Sequence, residues 1–271
     1  MPKLLDVDDL LETPDDPRFI PGVFNYCHRR CERCGFTERC RLFANEQLEA
    51  QKCPDDHWTT RVRRSLQRTI ALLERWCERE GVSFEELQAD GAAEEAAELR
   101  ALQDARHDPL LKLAEQYTGA ALTLADRLHQ TAPLDSWSSE AREALDTIVA
   151  YALRVSSKTH RALTGRIRRL EPEDADPLQT DWNGSAKVAR LDIAESRTAW
   201  QTLLHAGRAP SSSPVRKMID LLDRIDTGIA TRFPRAMEFI RPGFDEPQVA
   251  AGAVSTKAPF ELRRTVDGRA L

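Results

Sequence analysis

The chain has 271 residues, of which 41% are hydrophobic and 31% charged, a balance that supports a folded core and excludes wholesale disorder. Lys and Arg total 39 against 44 Asp and Glu, a net charge of −5, so the molecule as a whole is not steered toward nucleic acid or anionic membranes. Only 12 residues are Gly and β-branched runs are scarce, which disfavours β-rich and Gly-loop architectures.

The N-terminus, MPKLLDVDDLLETPDD, carries one Lys and six acids and lacks the apolar core of a signal peptide. No window approaches the roughly 18 apolar residues of a spanning helix. The expectation is a cytoplasmic protein with no membrane partner. Cysteines stand at 27, 31, 34, 40, 53 and 77. In a reducing compartment, clustered thiols point to metal or redox chemistry before disulfides.

In chain order, residues 1–24 read as an extended acidic arm broken by Pro14, Pro17 and Pro21. Residues 25–57 form a cysteine-rich module that ends in a helix-like stretch, LFANEQLEAQK. Residues 58–240 form a helical bundle and 241–271 a C-terminal tail. The first bundle helix runs from Trp58 to Glu80, with Val62, Leu66, Ile70, Leu73 and Trp76 at steps of three and four, one face of a 3.6-residue repeat. Gly81 suits a left-handed C-terminal stop, and Ser83 to Glu86 forms a capping box flanked by Val82 and Leu87.

The second helix, over 84–105, is acidic and Ala-rich, with a thin apolar face that places it on the outside. Asp108-Pro109 opens a third, which presents Leu110, Leu113, Tyr117, Ala121, Leu124 and Leu128. Ser138 caps a fourth, with Ala141, Leu145, Ile148, Ala152 and Val155 inside and fraying expected near Gly165. Asn183 to Ser185 opens a fifth, which buries Ala186, Ala189, Ile193, Trp200 and Leu204 and stops at Gly207. Ser213-Pro214 opens a sixth, with Met218, Leu222, Ile225 and Ile229, ending by Pro234. Matched lengths and short connections favour an antiparallel bundle of about six helices. The acidic stretch 171–184 is a longer linker. The fold class is all-α, with a cysteine-rich metal-binding module in front of the bundle.

The chemistry-bearing segment is Cys27 to Cys40, with the spacing C-x3-C-x2-C-x5-C. Four thiols this close in sequence reach one centre without help from distant parts of the fold, and thiolates suit zinc or a [4Fe-4S] cluster. Zinc knuckles pair two short units across a longer gap, which is absent here. Cys53-Pro54 echoes the Cys-Pro that closes some ferredoxin motifs, so Cys53 is an alternative to Cys40 as fourth ligand. The first three cysteines share the spacing of radical S-adenosylmethionine enzymes, but the alternating strands and helices of their barrel are missing. Arginines at 29, 30, 33, 39 and 41 would offset thiolate charge, or else receive an acidic partner. Arg61, Arg63, Arg64 and Arg68 extend that basic character. Stacking aromatics are few, which disfavours nucleic acid. Cys77 reads as a small buried hydrophobe.

Weaker constellations are Asp126-x-x-His129 and Asp104-x-x-His107, which with Glu115, Glu143, Glu195 and His160 would make a bundle-core metal site of the carboxylate type. Asn183 to Lys187 at a helix start reads as an ordinary cap. P-loop, Rossmann, nucleophile-elbow and zincin motifs are all absent. The functional expectation is a four-cysteine metal site that fixes the N-terminal module and supports binding of a protein or small-molecule partner. An iron–sulfur redox or sensor protein is the first alternative, and a metal-dependent enzyme in the bundle the second.

Overall fold

The computed structural model describes residues 16–52, 57–131, 137–169, 176–207 and 212–246. Seven α-helices lie within them and no strand: α1 (Arg41–Lys52), α2 (Trp58–Glu80), α3 (Phe84–His107), α4 (Pro109–Thr131), α5 (Ser139–Arg168), α6 (Asp181–His205) and α7 (Ser212–Arg232). The count exceeds the expected six because the helix-like stretch after the cysteines, α1, is a full helix. Short 3-10 turns at Val23–Asn25, Cys31–Arg33, Thr37–Arg39 and Ala236–Glu238 shape the two ends of the chain.

Several boundaries fall where capping chemistry puts them. Gly81 ends α2 at φ 70°, donating its N–H to the Cys77 carbonyl, a conformation that costs any residue with a Cβ. The Asp108 carboxylate accepts from the Leu110 N–H at 2.7 Å, and Ser138 Oγ accepts from the Ala141 N–H at 3.2 Å. Two boundaries differ from the sequence reading. Helix α6 starts earlier, because Thr180 is its cap and accepts from the Asn183 N–H. Helix α5 runs through Gly165 to Arg168 instead of fraying, with Gly165 packed beside Trp182 of α6.

The core is built by α4 to α7, with α5 and α6 packed most extensively. Its largest enclosed side chains include Tyr117, Leu128, Ile148, Ile193, Trp200, Leu222 and Ile225. Each such aliphatic side chain contributes about 1.5–3 kcal/mol by leaving water. Trp200 is fully buried and donates its indole N–H to the Tyr117 hydroxyl at 3.2 Å, which satisfies a polar atom that would otherwise be costly to bury. The α4 and α5 backbones are cross-linked by Thr118, whose hydroxyl donates to the Ala152 carbonyl at 2.7 Å.

The first bundle helix departs from expectation. Helix α2 contributes nothing to this core, and its apolar face, Val62, Leu66, Ile70 and Leu73, is exposed. Its less exposed side is made of Arg61, Arg64, Arg68, Ala71 and Leu72, and Arg68 pairs with Glu49 of α1 at 3.2 Å. Sequence periodicity identifies an apolar face but not the surface that covers it. None of the described helices is long and apolar enough to cross a membrane.

Candidate functional site

Residues 20–40 turn three times in quick succession. Gly22 takes φ 70° and Arg29 φ 56°, and the turns around Cys31–Arg33 and Thr37–Arg39 close with Cys34 N–H to the Cys31 carbonyl and Cys40 N–H to the Thr37 carbonyl. The Cys40 carbonyl then accepts from the Ala44 N–H at 3.0 Å as α1 begins. The result brings Cys27, Cys31, Cys34 and Cys40 to the wall of one cleft that opens to solvent. Phe24, Phe36, Phe43 and Phe244 line the same cleft. The Phe36 N–H donates to Cys34 Sγ at 3.4 Å, and the Cys27 thiol donates to the Phe24 carbonyl at 3.5 Å.

All four thiols are free. They surround the cleft without converging on one point, and among the described residues no trio of His, Cys, Asp or Glu is placed to hold a metal ion. The Cys31 pKa is raised, first by burial and then by the nearby Glu46 and the Cys27 and Cys34 thiols, with Arg29 opposing. A bound cation reverses that balance, because it holds the thiolate form. Cys53, the alternative ligand, lies outside the described residues. Cys77 is buried, as a small hydrophobe would be.

Three of the local arginines are already paired: Arg29 with Glu46 at 3.3 Å, Arg30 with Glu32 at 2.7 Å, and Arg33 with Glu143 of α5. These contacts temper the basic patch and hold the cysteine segment in place. Stronger anchors come from a polar stripe on α5. Arg154 donates to the Cys27 carbonyl at 3.0 Å while forking onto Asp192 of α6. Lys158 donates to the Asn25 carbonyl at 2.7 Å. Arg161 grips Asp181, which also accepts from the Tyr26 hydroxyl at 3.0 Å. Burial lifts the Asp192 carboxyl to a pKa of about 6, despite Arg154, whose charge and hydrogen bond oppose the rise. Burial likewise depresses the Lys158 pKa.

The far end of the chain closes the cleft from the other side. Phe244 packs edge-on against Phe36, centroids 4.9 Å apart, and against the His28 ring at 5.7 Å. Lys187 of α6 donates to the Phe239 carbonyl and pairs with Asp245 at 2.7 Å, and Arg241 pairs with the same carboxylate at 2.9 Å. Burial opposes ionisation of Asp245, but those two cations outweigh it and hold the carboxyl well below the usual range. Phe239 stacks on Tyr26, centroids 4.6 Å apart.

The other sequence candidates are dispersed. Asp126 and His129 are both exposed, and Asp126 accepts from Gln130 at 2.7 Å. Glu115 is exposed, Glu143 serves Arg33, and His107 bonds to the Gln103 carbonyl. Asn183 to Lys187 is largely buried within α6, with Lys187 spent on the C-terminal segment. Sequence reasoning missed Arg154, Lys158 and Phe244. The first two sit with Arg161 at i, i+4 and i+7 on α5, a basic stripe on an otherwise apolar-faced helix, and that was the available signal. No family model, curated protein or solved structure matches the chain.

Proposed function

We propose that Cys27, Cys31, Cys34 and Cys40 hold a thiolate-bound iron–sulfur cluster that clasps the N-terminal segment onto the bundle and serves as a one-electron redox or sensing centre. The observation that carries this reading is the shared cleft: four thiols around one volume, walled by phenylalanines. A lone zinc draws its four sulfurs to about 2.3 Å from a single point. A cubane distributes its ligands over four irons, so the thiolates bound a space. Phenylalanine rings flank the site, and the N–H bond to Cys34 Sγ stabilises sulfur charge.

The test is elemental analysis and absorption on protein purified without oxygen. About four irons and four acid-labile sulfides per chain, with a broad band near 400 nm, are expected, and both disappear in Cys31→Ser. One zinc with no visible band would overturn the redox reading in favour of a structural site, and protein free of both metals would overturn the metal reading itself.

A further inference from the structure

Helix α2 turns a stripe of four aliphatic side chains to solvent: Val62 is 49% exposed, Leu66 60%, Ile70 48% and Leu73 39%. Contiguous exposed apolar surface of this kind marks an interaction site. We propose that the stripe is covered by the same helix of a second copy of this chain, in a two-fold antiparallel pairing centred near residue 68.

The spacing of the stripe carries the choice of occupant. Its steps are four, four and three, which at 3.6 residues per turn keeps the four side chains within an arc of about 80° along the helix. Val62 and Leu73 centre on position 67.5, and Leu66 and Ile70 on 68. Reversing the helix end for end therefore lays the stripe on itself to within about one residue, close enough for an isologous pairing.

The charges lie about nearly the same centre, at 68.5. Arg63 and Glu74 are eleven residues apart, about three turns, so they stand on the same flank of the stripe about 16 Å from each other. Both are exposed. In an antiparallel pair, like flanks meet. Arg63 of each copy then faces Glu74 of the other, giving two opposite-charge contacts about the axis. In a parallel pair unlike flanks meet, so Arg63 and Glu74 would not face each other. The inward side of the helix is already committed, with Arg68 on Glu49 of α1, so the stripe is the side left for a partner.

Four half-exposed side chains per copy supply a few hundred Å², less than the roughly 800 Å² per partner of a tight complex. The dimer is therefore weak and concentration-dependent. This interface stands independently of the metal reading.

Sedimentation equilibrium of the full chain over about 1–200 µM should show monomers passing into dimers. Arg63→Glu should raise the dissociation constant about tenfold, since it turns two attractive contacts into two repulsive ones. Glu74→Arg should do the same by setting arginine against arginine. The double variant R63E/E74R should return the constant to within about twofold of the original. Leu66→Glu should abolish the dimer with an unchanged circular dichroism spectrum. A monomer throughout the range overturns the proposal and leaves the face to a different protein. A dimer that ignores both charge reversals, or a double variant no tighter than the single ones, overturns the antiparallel pairing.

Discussion

Replacing Arg154 with Met removes the cation from a nearly enclosed pair. Asp192 sits 2% exposed, with both carboxylate oxygens accepting from the guanidinium at 3.0 and 3.1 Å. Its pKa is raised from 3.8 to about 6 even with that partner present. A carboxyl whose folded pKa exceeds its unfolded one favours folding when protonated. Its penalty is absent below pH 3.8, grows as pH rises toward 6, and is constant above that, reaching about 3 kcal/mol for a shift of this size. Without Arg154 the ionised carboxylate has lost its fork, and breaking such a pair from one side costs about 3–5 kcal/mol. At pH 5 Asp192 is already mostly protonated in the folded chain, so the same substitution strands a neutral group and costs about 1–3 kcal/mol. Urea unfolding of Arg154→Met at pH 7.5 and pH 5 should thus give a loss larger by about 2 kcal/mol at the higher pH. Adding Asp192→Asn should recover most of that difference. Equal losses at both pH values, or a loss under 1 kcal/mol at pH 7.5, would refute the account of Asp192 as a buried, Arg154-dependent charge.

Two further substitutions probe how the ends of the chain are seated. A Cβ on Gly184 would stand 2.8 Å from Phe239 Cζ and closer still to Tyr26 Cε1, so Gly184→Ala must push both rings off α6. A loss of about 1–3 kcal/mol, read as a lower melting temperature, is expected, and an unchanged melt would show that the stack tolerates displacement. Asp245 is held ionised by Arg241 and Lys187, so its contribution is present above the unfolded carboxylate pKa and lost as pH falls through the folded one. Asp245→Asn should cost about 1–3 kcal/mol at pH 7 and speed thiol labelling of the cysteine cleft. Labelling as slow as in the parent chain would detach Asp245 from closure of the cleft.

Much of the helical frame was legible because local chemistry decides it. Gly81, Asp108 and Ser138 stop or start helices through their own backbone or side-chain hydrogen bonds. The periodic positions Tyr117, Ile148, Ile193, Trp200 and Ile225 are buried as the 3.6-residue repeat requires. Residue type does not separate Thr180 from Asn183 and Ser185 as caps, and the structure uses the Thr180 hydroxyl. The outward stripe of α2 was not legible, since amphipathicity names a face and not its cover. At the site, spacing singled out Cys27, Cys31 and Cys34 with Cys40 or Cys53 as the fourth, and the first four of these share the cleft. Phe244, in a stretch that reads as tail, and Arg154, mid-helix on α5, reach the cleft through tertiary contacts that no local pattern encodes.

The cleft is assembled from opposite ends of the chain: its thiols come from the first turns and one of its walls, Phe244, from beyond the last long helix. Domains emerge during synthesis from the N-terminus onward, at about 5–20 residues per second. The four cysteines are thus exposed to the translating cell for the whole time that α2 to α7 are being made. Contacts this distant in sequence also form late, because loop closure must come first. The cleft gains its last wall only when Arg241 to Asp245 settle on α6. Truncation just before Phe244 would leave the cysteine side of the cleft without that wall.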